Sequence, residues 1–162
     1  MKTISSLFIL FFITFFVGCA DKTNALRYFE NDKLSAKAIQ YTKKRDVVYN
    51  NEVEALVFLT HLNNIDGKYE NDKVESFILG VQIANKEKEN FFKDEYNLYL
   101  EENKPMTMIS LDPKSKLVQS IPLGSPWARY FLVEFNNEEE KRVLNLNFIH
   151  SKFGSTSLSF QK

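Results

Sequence analysis

The chain reads as a mainly β protein: an antiparallel β-sandwich of seven or eight short strands with one short helix ahead of them. Three observations predict this. Apolar residues alternate with polar ones at period two through most of the second and third thirds of the chain, as in Phe77, Leu79, Val81 and Ile83. Turn signals such as Asp66-Gly67, Asp112-Pro113 and Gly154 recur at the spacing of short strands. No helix-period segment interrupts the strands, which disfavours a parallel α/β sheet.

The elements follow in order. Asp32 is expected to cap a short helix whose apolar stripe is Leu34, Ala38 and Tyr41, with Lys43, Lys44 and Arg45 at the end where cations suit the helix dipole. Strands are then expected over Val53 to Thr60, Phe77 to Ile83, Tyr96 to Leu100, Met106 to Leu111, Leu117 to Ile121, Arg129 to Phe135 and Val143 to His150. Leu158 and Phe160 carry the alternation into an eighth after the Gly154 turn.

Composition narrows the function classes. Of 162 residues, 44% are hydrophobic and 26% charged, enough for one folded domain with a real core plus a short extra segment. Lys+Arg and Asp+Glu both number 21, so no basic surplus exists to neutralise phosphates, and nucleic acid is not expected as a partner. The single cysteine, Cys19, excludes an internal disulfide.

That cysteine closes a signal-like segment. Lys2 supplies a positive start, the stretch from Thr3 to Ala20 carries no charge, and its most apolar part runs from Leu7 to Val17. A permanent membrane span needs about 20 apolar residues, so this run suits a cleaved signal better. Phe16-Val17-Gly18-Cys19 resembles the lipobox of bacterial lipoprotein precursors, with Phe16 where Leu is most common. The resemblance implies cleavage between Gly18 and Cys19 and lipid on the Cys19 thiol. It also implies anchorage in the cell envelope, with Ala20 after the cysteine favouring the outer membrane facing the periplasm. The expected organisation is a lipoprotein signal peptide over 1–18, a lipidated N-terminus and tether over 19–31, and a single sandwich domain with its leading helix over 32–162.

The mature part resembles immunoglobulin-like domains in pattern alone. No Cys…Trp…Cys spacing exists, and Trp127 lies in a loop before a strand. The chain as a whole is similar to small bacterial lipoproteins that carry variants of such a domain.

Catalytic signals are sparse. His61 and His150 lack the spacing of a zinc site and read as rim residues at strand ends. Ser125 in LGSPW lacks the nucleophile-elbow pattern. Asp66, Glu70 and Asp72 do not follow a calcium-loop spacing and read as a solvated hairpin loop. The expectation is therefore no enzyme, no cofactor and no metal.

Aromatics set among polar loop residues are the remaining signal: Phe91 and Phe92 in KENFFKDEY, and Trp127, Arg129 and Tyr130 in SPWARY. Aromatics and Arg are enriched at protein interfaces. Alternatively these side chains fold back as plugs over the open ends of the sandwich. The functional expectation is a lipid-anchored, non-catalytic module for protein interaction or envelope assembly, contacting the membrane through lipid and an envelope protein through these loops. The alternative is a small-ligand or glycan binder in which Trp127 and Tyr130 form a stacking platform.

Overall fold

The computed structural model describes residues 33–84, 96–122, 124–137 and 141–162. Helix α1 (Lys33–Gln40) leads into β1 (Thr42–Tyr49), β2 (Glu52–His61), β3 (Val74–Ile83), β4 (Tyr96–Leu100) and β5 (Thr107–Leu111). The short helix α2 (Lys116–Gln119) then precedes β6 (Arg129–Asn136), β7 (Val143–His150) and β8 (Gly154–Gln161). All strand pairs are antiparallel, in a five-stranded sheet of order β1-β2-β3-β6-β5 and a three-stranded sheet of order β4-β7-β8.

Taken from β2 onward, this is the strand order of a constant-type immunoglobulin sandwich, with four strands against three, and β1 is an extra strand on the outer edge. The period-two residues explain the layering. Leu59, Leu79, Val133, Leu146 and Phe160 all turn inward into one core shared by the two sheets. The outer face of the larger sheet holds a second cluster, in which Phe58, Ile78 and Tyr130 are covered by Leu62, Val118 and Ile121.

Two elements depart from expectation. Lys43, Lys44 and Arg45 do not end the helix but lie in β1, because Asn50 and Asn51 both take positive φ (51° and 64°) and close a two-residue hairpin with β2. The helix stops at Gln40, and the Thr42 hydroxyl donates to the Ala38 carbonyl (2.7 Å). Leu117 to Ile121 is not a strand either. The Ser115 hydroxyl accepts from Val118 N–H (3.3 Å), starting α2, which lays Val118 and Ile121 over the outer face of the sheet. The Asp66-Gly67 turn is a 3₁₀ turn over Gly67–Tyr69, with Asp66 accepting from Lys68 N–H (3.0 Å).

Gly80, in the central strand β3, stands opposite Phe58, and the phenyl ring occupies the space where a Cβ would sit, 1.8 Å from the nearest ring atom. Here glycine is required by packing, since the ring covers the main chain directly.

Candidate functional site

The sandwich has two chemically different ends. One carries the β1–β2 hairpin, the start of β6 and the β7–β8 turn, joined by an edge-on contact of Tyr49 and Phe153 (ring centroids 5.4 Å apart). The other carries His61, the start of β3 and Lys162. The polypeptide enters the domain through α1 at this second end, beside Thr42 and Thr60, whose hydroxyls are 2.8 Å apart.

Trp127 projects at the first end and is 78% exposed. Its backbone is tightly held. Ala128 N–H donates to the Ser125 carbonyl (3.2 Å) and Trp127 N–H to the Ser125 hydroxyl (3.3 Å). The Tyr130 hydroxyl donates to the Ser125 carbonyl (2.8 Å) and accepts from Ser125 N–H (2.6 Å), while the Ser125 hydroxyl donates to Gln82 (2.9 Å). A turn fixed by five hydrogen bonds thus presents a large aromatic side chain to solvent.

Beside Trp127 lies an open groove of about 370 Å³, lined by Val81, Gln82, Ile83, Pro126 and the exposed Arg129. Across Pro126 a more apolar recess of about 500 Å³ is lined by Val118, Ile121, Gly124 and Tyr130. Of the expected contact residues, then, Trp127 and Arg129 meet at one rim. Tyr130 does not: it is 1% exposed, with its ring against Phe58 (centroids 5.8 Å apart), and serves as the post that holds the turn. The platform of Trp127 with Tyr130 is not formed. Phe91, Phe92, Gly18 and Cys19 lie outside the described residues.

Neither histidine is a rim residue. His150 is 8% exposed, and its Nδ1 accepts from the N–H groups of Lys152 and Phe153 (3.0 Å each), so it shapes the β7–β8 turn. His61 is fully buried and its ring stacks on Phe77 (4.8 Å). Its Nε2 donates to Glu75 Oε2 (2.8 Å), while Glu75 Oε1 accepts from Asn137 Nδ2 (2.8 Å) and Lys162 Nζ (2.6 Å). Burial pushes the Glu75 carboxyl up, but the hydrogen bonds from His61, Lys162 and Asn137 outweigh it and hold the group below its ordinary value.

Sequence reasoning missed this cluster, although the signal was present. The inward positions of β2 run Ala55, Val57, Leu59, His61, and those of β3 run Glu75, Phe77, Leu79, so one acid and one histidine share the core face. The side chains of Glu75 and His61 are both 0% exposed, so a substrate cannot reach them and the pair works as a structural tie. Among the described residues no group of three or more His, Cys, Asp and Glu side chains is placed to hold a metal ion.

Fold and rim together define an immunoglobulin-like sandwich with a rigid, aromatic-tipped turn at one end. No protein-family model, curated protein or solved structure matches the chain.

Proposed function

We propose that the protein is a bacterial cell-envelope lipoprotein, anchored through lipid on Cys19 in the outer membrane facing the periplasm, and that it acts as a non-catalytic module binding another envelope protein. The observation that carries the binding part is Trp127: an indole 78% exposed on a turn with its own hydrogen-bond scaffold. Leaving so large an apolar side chain in water is unfavourable by about 2 kcal/mol relative to burial, and a rigid aromatic anchor loses little conformational entropy on binding. Trp127 stands at the opposite end from α1, which suits a domain held from one end and engaged at the other.

The test is a crosslinked pull-down from intact cells. Wild type recovers one specific envelope protein; Trp127→Ala, confirmed as folded by circular dichroism, loses it. Intact mass gives the anchor: a chain starting at Cys19 with added acyl groups, against an unlipidated product for Cys19→Ala. Equal recovery by wild type and Trp127→Ala would remove the binding surface from the proposal, and an unmodified Cys19 would remove the anchor.

A further inference from the structure

Charge is unevenly spread over the domain. Residues 33–49, which make up α1, β1 and the residue between them, hold five Lys and Arg side chains and a single acid, Asp46, whereas residues 50–162 hold 13 Lys and Arg against 17 Asp and Glu. A domain that is acidic elsewhere thus has one basic side. Since β1 is the outermost strand of the larger sheet and α1 leads into it, these residues lie along one edge of the sandwich. In α1 the buried residues are Ser35 and Ala38, which leaves Lys37 and Ile39 exposed.

Lys43, Lys44 and Arg45 are exposed as well. The alternation of a strand sends Lys44 to one face and its two neighbours to the other, so positive charge wraps around the edge. Lys43 is engaged, its ammonium donating to the Ser159 carbonyl and lying over the Phe160 ring. Lys44 and Asp46 are 3.9 Å apart, both well exposed, a pair that contributes little in water. Among the described residues neither Lys37 nor Arg45 has an ion-pair partner. Exposed apolar side chains flank these cations: Ile39 on α1, and Val48 and Tyr49 at the end of β1. Cations set among exposed apolar and aromatic side chains suit a bilayer headgroup interface, where the charges meet anionic lipid and the apolar groups enter the acyl boundary.

We infer that the α1–β1 edge rests on the anionic headgroups of the membrane that holds Cys19, an inference that builds on the lipid anchor proposed above. The occupant follows from charge and reach. Lys33 is 14 residues beyond Cys19, so the chain between them spans at most about 50 Å when fully extended. Along the chain, α1 is the part of the domain nearest that anchor, and its cations feel an anionic surface within about 10 Å at 0.1 M salt. A second copy does not fit the same edge, because two basic edges repel each other. Docking by this edge also leaves the Trp127 rim free: Trp127 precedes β6, which lies three strand spacings from β1, roughly 14 Å.

The test uses the full chain, lipidated on Cys19 and reconstituted into vesicles of phosphatidylcholine with or without phosphatidylglycerol. Flotation with the phosphatidylcholine vesicles reports the anchor by itself. The edge is read from a nitrobenzoxadiazole fluorophore on Ile39→Cys, quenched by a spin label on the lipid headgroups, against the same fluorophore on Ile109→Cys in β5 at the opposite edge of the sheet, where the side chain is also exposed. With phosphatidylglycerol, position 39 is quenched and position 109 is not. Quenching at position 39 falls to the level of position 109 in phosphatidylcholine alone, and also in 1 M salt, where charges are screened within about 3 Å. Adding Lys37→Gln lowers the ratio of docked to undocked domains about fivefold, and Lys37→Arg leaves it unchanged. In a chain that floats, equal quenching with and without phosphatidylglycerol, stronger quenching at position 109, or no response to Lys37→Gln would each overturn the inference alone. A chain that does not float would remove the anchor, and the docked edge with it.

Discussion

Glu75→Gln tests the buried tie at the α1 end of the sandwich. The substitution keeps the side-chain shape but replaces a carboxylate that accepts from His61, Lys162 and Asn137 with an amide that presents donors of its own. Two buried donors, from His61 and Asn137, and the solvent-reaching Lys162 ammonium then compete for one acceptor oxygen, and an N–H₂ group faces one of them. Losing the hydrogen bonds made to a buried charged acceptor costs about 1.5–3 kcal/mol. For a domain the size of Asp32–Lys162, each 1 kcal/mol lowers Tm by roughly 4 °C, so the variant should melt about 6–12 °C below wild type in a circular-dichroism scan at neutral pH.

The folded Glu75 carboxyl lies below its ordinary value of 4.5, so its contribution is complete above that value and fades as pH falls through the lower, folded one. The gap between variant and wild type must therefore narrow on acidification. A Tm loss under about 3 °C at neutral pH would refute the tie through the hydrogen-bond scale, and a gap that widens in acid would refute it through the linkage sign.

Other perturbations follow from the packing. Gly80→Ala drives a methyl group into the Phe58 ring and should cost about 1–3 kcal/mol, measured by denaturant titration, with Phe58→Leu added to the same chain recovering part of the loss. At Asn51, whose φ is positive, Asn51→Gly should hold or slightly raise Tm, whereas Asn51→Val should lower stability by about 1–2 kcal/mol. Ser125→Ala, which removes the hydroxyl from both Trp127 N–H and Gln82, should leave Tm nearly unchanged and weaken partner recovery less than Trp127→Ala does.

Seven of the eight strands, β2 to β8, were legible: β4, β6, β7 and β8 bury one face more than the other, which writes period two directly into Val133, Phe135 and their like, and β2 and β3 are short apolar runs buried on both faces. β1 was hidden by its position. At the sheet edge, inward sites paired with Leu59 and Val57 can hold Lys43 and Arg45, whose long stems run out of the core while the charges reach solvent or the Phe160 ring. The Asn50-Asn51 pair was the cue to that hairpin. α2 was misread as a strand because a segment this short fits either period, and Ser115, a helix cap, was the arbiter. Trp127 and Arg129 were legible as aromatic and basic residues in a loop. Tyr130 beside them was not separable by composition, since only the register sets it on the covered outer face, where its hydroxyl bonds back to Ser125.

The most direct measurement of the proposed function is site-specific photo-crosslinking in living cells, with a benzophenone side chain placed at Trp127 in one strain and at Lys44, toward the other end of the sandwich, in another. A discrete adduct from position 127 and none from position 44 is the predicted result. Adducts from position 44 alone, or none from either in cells where the lipidated protein is abundant, would contradict an interaction module that works through its Trp127 rim.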